Sequence, residues 1–113
     1  MRYTYMRDSD GFLLIYSVRD RYSFEDISIL EQQILRVKDK DTFPMIVVGN
    51  DCLEFYSPTA RIEVSKEEGQ ALANRMGCPF MEVDATSGYN VEKAFVKLVQ
   101  EIRSYRSGLY GYY

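Results

Sequence analysis

Residues 44–54 read P-M-I-V-V-G-N-D-C-L-E, and the fold prediction starts from this segment. Its unbroken apolar run ends in a glycine, an asparagine and a polar turn. A continuous apolar run predicts a strand that is covered on both faces, as in a parallel sheet. Ligand-binding loops follow the carboxyl ends of such strands. Asn50 is therefore the first candidate for a ligand-binding residue.

Two other segments are typical of strands. Residues 12–18 (F-L-L-I-Y-S-V) form an apolar, aromatic and β-branched run that does not alternate, which predicts cover on both faces. Residues 79–84 contain a shorter run. Helical patterns separate these strands, and the alternation predicts right-handed crossovers. We therefore predict an α/β fold with parallel strands at 12–18, 44–50 and 79–84, in the order one-two-three, and helices on both faces.

Polar residues mark where the helices are expected to begin. Ser23, with Asp26 three residues later, resembles an N-cap arrangement, and Ser65 with Glu68 forms a capping box. Asn90 is predicted to cap the last helix, whose apolar residues recur at helical spacing.

Composition excludes several classes of protein. The chain has 113 residues, 46% of them hydrophobic and 27% charged, as expected for one globular domain. A net charge of −3 gives no basic surface for nucleic acid, and histidine, the commonest general base and zinc ligand, is absent. Cys52 and Cys78 lack metal-type spacing and are most simply free thiols in a reducing, cytoplasmic setting. No segment resembles a signal peptide, a membrane span or a prenylation box.

Several separate stretches agree in order and spacing with one known family. They are M-R-Y-T-Y-M-R-D-S-D-G-F-L-L-I-Y-S-V (1–18), R-Y-S-F-E-D-I (21–27), Q-I-L-R-V-K-D-K-D-T-F-P (33–44), V-V-G-N (47–50), G-C-P-F-M-E-V-D-A-T (77–86) and N-V-E-K-A-F-V-K-L-V-Q-E-I-R (90–103). Together they resemble the carboxyl-terminal two-thirds of a Ras-family small GTPase. We accordingly expect an incomplete small-GTPase-like domain at residues 1–106 and a flexible aromatic tail at 107–113.

The resemblance carries implications for ligands and partners. It implies a partial doubly wound fold of the P-loop nucleotide hydrolase type, with GTP or GDP and Mg²⁺ as ligands. It implies signalling by switching between nucleotide states, and Ras-type regulators or effectors as protein partners. The family is often found at the inner plasma membrane, but this sequence carries no lipid-anchor motif.

The phosphate-binding machinery of the family is predicted to be missing. In the family loop G-x-x-x-x-G-K-[S/T], backbone amides and a lysine hold the phosphates, and these 113 residues contain no Gly-Lys-Ser or Gly-Lys-Thr. The first switch threonine, the D-x-x-G segment and the glutamine that orients water are expected to lie before Met1. We therefore expect no catalytic residue, no metal ligand, and impaired nucleotide binding and hydrolysis.

The guanine-reading loop also departs from the family. The family motif is N-K-x-D, whereas residues 50–53 read N-D-C-L, so Asn50 matches, an aspartate replaces the lysine, and Leu53 stands where the aspartate should be (or one residue has been deleted). In the second base loop, S-A-K becomes D-A-T at residues 84–86, and only Ala85 matches. Asn50 and Ala85 are thus predicted as vestigial nucleotide-binding residues.

The strand at residues 12–18 would lie inside the sheet of an intact family member. Without its neighbour it is predicted to form an apolar sheet edge beside an exposed apolar patch, a template for self-association. Three interpretations stay open. They are a degenerate GTPase, a non-enzymatic interaction module or pseudo-GTPase fragment that acts through its helices and open edge, and an incomplete gene product without independent function.

Overall fold

A computed structural model describes residues 6–51 and 61–110, which form one three-stranded sheet with helices around it. The elements in chain order are β1 (Phe12–Ser17), α1 (Arg21–Lys38), β2 (Met45–Asn50), α2 (Lys66–Met76), β3 (Phe80–Val83) and α3 (Val91–Tyr110). The sheet is parallel in the order β1-β2-β3, which confirms the predicted fold class. Each strand is one or two residues shorter than predicted. The last helix continues to Tyr110, inside the predicted tail, whose flexibility stays a prediction.

Strand β2 is the centre of the sheet. Leu14 in β1 lies opposite Val47, and Val47 in turn lies opposite Phe80 in β3. Every residue of β2 from Met45 to Gly49 is buried. The continuous apolar run of this strand is needed because both of its faces are covered by helices.

The two faces of the sheet carry two separate apolar cores. One core lies between the sheet and helices α1 and α2, and its buried members include Leu14, Tyr16, Ile27, Ile34, Val47 and Leu72. The other lies between the sheet and α3 and is formed by Ile46, Val48, Val83 and Ala94. The first core has more buried side chains than the second, so the α3 face is the less completely covered one.

Helix α1 begins two residues earlier than Ser23, so the predicted cap is wrong. Asp20 is the N-cap, and its carboxylate accepts a hydrogen bond from the Tyr22 amide at 3.0 Å. Ser23 instead accepts from the amide of Ser17 at 2.9 Å and donates to the carbonyl of Asp20 at 2.7 Å. Its hydroxyl therefore joins the end of β1 to the first turn of α1.

The other two predicted caps have different outcomes. The Ser65 capping box is confirmed, because Ser65 accepts from the Glu68 amide while the Glu68 carboxylate accepts from the Ser65 amide. Asn90 directly precedes α3, but its φ of 61° is left-handed and its side-chain amide donates to the Glu82 carbonyl at 3.0 Å. The side chain is therefore a brace between β3 and α3 rather than an N-cap. Asparagine is one of the few residues that tolerate this conformation.

Tyr16 and Gly69 meet at the tightest contact between the sheet and α2. Tyr16 is 1% exposed, packs edge-on against Phe24, and has no hydrogen-bond partner for its hydroxyl among the described residues. Burial, and then the nearby charges of Glu82 and Glu68, raise its pKa to about 12. A Cβ atom on Gly69 would collide with the Tyr16 hydroxyl and the Phe80 ring. Gly69 is therefore required by close packing.

Substitution of this glycine tests the packing. Gly69→Ala is expected to lower the free energy of unfolding by about 1–3 kcal/mol, because overpacking displaces ring atoms that have no free space. Gly108→Ala is the matched control within α3, where an added Cβ meets nothing within 4 Å. It should raise stability by about 0.5–1 kcal/mol through helix propensity. Urea unfolding measures both, and equal stability of the two variants would contradict the proposed contact.

Candidate functional site

The carboxyl ends of the strands lie side by side, as expected for a ligand edge in a parallel α/β sheet. Asn50 ends β2 in register with Val83 at the end of β3. The side-chain oxygen of Asn50 accepts a hydrogen bond from the backbone amide of Ala85 at 3.1 Å. The structure thus brings the two predicted site residues together.

The loop after β3 is closed by its own hydrogen bonds. The Asp84 carboxylate accepts from the amides of Thr86 at 3.0 Å and Ser87 at 3.3 Å. The Asp84 amide donates to the carbonyl of Tyr89 at 3.1 Å, and Gly88 has a positive φ of 83°. An aspartate that bonds amides two and three residues later is a common way to hold a turn. The departure from the family sequence at Asp84 therefore has a structural role.

An ion pair joins the ends of β1 and β2. The Nε atom of Arg19 lies 2.9 Å from a carboxylate oxygen of Asp51, and the Arg19 side chain is only 10% exposed. Asp51 occupies the position of the family lysine and points its charge toward Arg19. Sequence reasoning missed Arg19, although opposite charges just after neighbouring parallel strands were a usable signal.

A metal centre and a reactive thiol are two further kinds of site that the described residues do not support. Among residues 6–51 and 61–110, no group of three or more Asp, Glu, Cys or His side chains could hold a metal ion. Cys78 is a free thiol, as predicted, and burial raises its pKa to about 11, which disfavours the reactive thiolate. Cys52 and Leu53 lie outside the described residues.

An apolar groove lies on the α3 face, beside the open edge of β1. It has a volume of about 260 Å³ and is lined by Leu13, Ile15, Val48, Asn50, Val83, Ala85, Val91, Ala94 and Phe95. Ile15 is 54% exposed and Phe95 is 55% exposed, which confirms the predicted apolar patch. The exposure of Ile15 also shows that the prediction of cover on both faces of β1 is wrong for this residue, because the core beneath α3 includes Leu13 but leaves Ile15 largely exposed.

A second groove lies between α1 and α2, and its lining includes the charged side chains of Arg21, Glu68 and Arg75. A side-chain nitrogen of Arg21 donates to the Glu68 carboxylate at 2.9 Å, and the Arg21 amide donates to the Glu63 carboxylate at 2.8 Å. The pKa of Glu68 is lowered, mainly by the hydrogen bond from the Ser65 amide and then by the one from Arg21. These contacts tie the two helices together and leave no unpaired charge for a ligand at Arg21.

Comparisons with known proteins agree with the resemblance. A sequence model of the Ras family matches residues 1–104. A Ras-like protein of Laccaria bicolor is 55% identical over 105 residues, which are 93% of this chain and 48% of that protein. Protein ras-1 of Neurospora crassa is 52% identical over 103 residues, 91% of this chain and 46% of that protein. The chain spans about half the length of these curated relatives.

Fold and comparisons together define the class as small GTPase. The chain belongs to the Ras family. Proteins of this family generally bind GTP or GDP with Mg²⁺ and interact with regulators and effectors. No helix in the described part of the chain has the length and apolar character needed to cross a membrane.

Acid sensitivity tests the Glu68 contacts. The folded-state pKa of Glu68 lies below its ordinary value of 4.5, so its contribution to stability is present above that pH. The contribution is lost as the pH falls through the lower, folded-state pKa. Glu68→Gln should therefore destabilise the protein at pH 7 and flatten the decline in unfolding free energy below about pH 4.5.

Glu67→Gln, one position earlier in the same helical turn, is the matched control, since it changes the same charge without touching the Ser65 and Arg21 contacts. Urea unfolding between pH 3 and pH 7 measures the difference. If the unfolding free energy of the E68Q variant declined below pH 4.5 as steeply as that of the wild type, these contacts would not stabilise the fold.

Proposed function

We propose that this chain is a degenerate member of the Ras family that neither binds guanine nucleotide tightly nor hydrolyses GTP. The main support is the hydrogen bond between Ala85 and Asn50. By resemblance, the Ala85 amide is the group that would meet a purine oxygen, and it already has a partner. At the edge of the sheet that would hold a base, the Ala85 amide and the Asn50 side chain are therefore hydrogen-bonded to each other.

The loop residues around Asn50 support the same proposal. An N-K-x-D aspartate accepts hydrogen bonds from the guanine ring, and Leu53 at that position offers no acceptor. A hydrogen bond to a charged group contributes about 1.5–3 kcal/mol, so its loss weakens binding substantially. Asp51 brings a carboxylate in place of the lysine and pairs with Arg19. These residues therefore do not fit a tightly held guanine.

The residues that hold the phosphate end of a nucleotide in the family are also missing from this sequence. The 113 residues contain no Gly-Lys-Ser or Gly-Lys-Thr to surround the phosphates with backbone amides and a lysine. In the proposed function, no residue of this chain acts as a catalytic group or as a Mg²⁺ ligand. Asn50 and Ala85 mark where a nucleotide would lie in the family, and their present function is structural.

A titration with fluorescent GDP, with and without Mg²⁺, tests this loss. We expect no saturation at micromolar concentrations and no preference for fluorescent GDP over fluorescent ADP, because the guanine-specific acceptor is missing. A full-length Ras-family protein measured in parallel is the positive control. Saturable GDP binding at micromolar or lower concentration, with discrimination against ADP, would overturn the proposal.

A second candidate function is a non-enzymatic interaction module in the cytoplasm. It is favoured by the edge of β1, which has no neighbouring strand among the described residues, and by the apolar groove beside it, which together offer backbone groups and apolar side chains to a protein partner. A regulator or effector of the Ras type and a second copy of this chain are the partner classes. The edge has no charged side chain between Phe12 and Ser17 to oppose pairing.

Sedimentation velocity tests the role of the edge in self-association. The wild-type chain should form a dimer, and Ile15→Lys should be monomeric, because a lysine on a strand edge opposes pairing. Ile29→Lys is the matched control, since Ile29 on α1 is 55% exposed and Ile15 is 54% exposed. I29K should remain dimeric. A monomeric wild-type chain, or loss of the dimer in both variants, would count against an interaction through β1.

A further inference from the structure

Helix α2 lies between two points where the chain is fixed to the sheet. Before the helix, the Val64 amide donates to the Val18 carbonyl at 3.0 Å. After it, Gly77 turns the chain with a φ of 72°, and the Val47 amide of the central strand donates to the Pro79 carbonyl at 3.0 Å. The helix is therefore a short segment that can move as a unit while both of its ends stay attached.

The apolar contact between α2 and the sheet is small. Of the 11 residues in the helix, Gly69, Leu72 and Ala73 are buried, and Gly69 contributes no side chain. Since apolar burial stabilises in proportion to the area removed from water, this contact holds the helix weakly. A helix of this length is also marginal by itself in water. The position of α2 therefore depends on few contacts.

Polar contacts also join α2 to α1, and they lie at the surface. A side-chain nitrogen of Arg21 donates to the Glu68 carboxylate at 2.9 Å, and both side chains are 41% exposed. A side-chain nitrogen of Arg75 donates to the Ser28 hydroxyl at 3.1 Å. Exposed polar contacts contribute modestly to stability, because water competes for the same groups and screens their charges. The helix can therefore separate from α1 at a modest cost in free energy.

The Tyr16 hydroxyl lies beneath α2 and opposes its docking. A Cβ atom on Gly49 of β2 would lie 2.9 Å from the hydroxyl oxygen, and one on Gly69 of α2 would lie closer still. The oxygen is thus enclosed between sheet and helix, and it has no hydrogen-bond partner in the described part of the chain. A polar group buried in this way loses its hydrogen bonds to water and gains none in return, which is unfavourable. When α2 moves away, water reaches the hydroxyl.

We propose that residues 66–76 form a helical lid that opens from the sheet without unfolding of the rest of the chain, and that the unpaired Tyr16 hydroxyl favours the open state. In the closed state Leu72 and Ala73 lie against the sheet. In the open state water binds the hydroxyl, and the apolar surface beneath α2, including the ring of Phe80, becomes accessible. This lid is independent of the proposed loss of nucleotide binding and of any contact through the edge of β1.

Thiol labelling measures how often the lid opens. Ala73 is 0% exposed, so a cysteine at this position reacts with a thiol reagent only after the helix has moved. The test uses the full 113-residue chain with Cys52→Ser, Cys78→Ser and Ala73→Cys, which leaves one thiol. Labelling is followed at increasing urea concentrations, because the urea dependence of an opening grows with the surface that it exposes.

The cysteine at position 73 should be labelled at least about tenfold faster than global unfolding allows, with only a weak dependence on urea, as expected for a local opening. Addition of Tyr16→Phe should slow this labelling by about tenfold, because the closed state then buries no unpaired hydroxyl. Tyr105→Phe is the matched control, since the half-buried Tyr105 packs edge-on against Phe43 rather than beneath α2. It should leave the labelling rate unchanged.

Two results would overturn the lid. Labelling at the rate of global unfolding, with the full urea dependence, would show that α2 does not open independently. Labelling that is as fast or faster with Tyr16→Phe would show that the hydroxyl does not oppose the closed state. If Ala73→Cys prevents folding, exchange of the Leu72 amide in the natural sequence and in Tyr16→Phe gives the same comparison, because a detached helix of this length does not keep its hydrogen bonds in water.

Discussion

The structure depends on the pairing of β2 with a strand on each side. This pairing places Ile46 and Val48 against α3, and Val47 against the helices of the opposite face. Both cores therefore share one strand, and their burial is the main stabilising contribution in such a small sheet. The same pairing brings the ends of β1, β2 and β3 together and so determines where any ligand edge would lie.

The two edges of the described sheet that matter for function differ in their hydrogen bonds. At the carboxyl edge, Asn50 bonds Ala85 and Asp51 bonds Arg19, so the groups nearest an ancestral base site are paired within the chain. At the lateral edge of β1, the backbone amide and carbonyl groups of Leu13 and Ile15 face away from β2 and have no strand beside them among residues 6–51 and 61–110.

Much of the fold was predictable because the signals were local and mutually consistent. The apolar run of β2 predicts a buried strand, and the Ser65 box contains both halves of its reciprocal hydrogen bonds in four residues. The start of α1 was not predictable in the same way, since Asp20 and Ser23 are both good caps. Which of the two becomes the N-cap depends on Ser17, because its amide donates to the Ser23 hydroxyl once the chain has turned at the end of β1.

The site was predictable only in part. The family resemblance predicts Asn50 and Ala85 as residues of one nucleotide site, and the structure brings them together. The hydrogen bond between them and the Arg19–Asp51 ion pair depend on the three-dimensional approach of separate loops. The left-handed backbone of Asn90 was likewise invisible, because asparagine is also a common cap. Where the sequence allows two structural roles for a residue, as it does for Asn90, tertiary contacts decide which role the residue has.

Residue-resolved amide hydrogen exchange of the wild-type chain, in concentrated and in dilute solution, tests whether the edge of β1 is an interaction surface. The amides of Leu13 and Ile15 should be protected in concentrated solution and should lose that protection on dilution. The Val47 amide, which donates to Pro79 at 3.0 Å within the chain, should stay protected in both. Unprotected Leu13 and Ile15 amides under conditions where the dimer is populated would contradict the claim that this strand edge is the interaction surface.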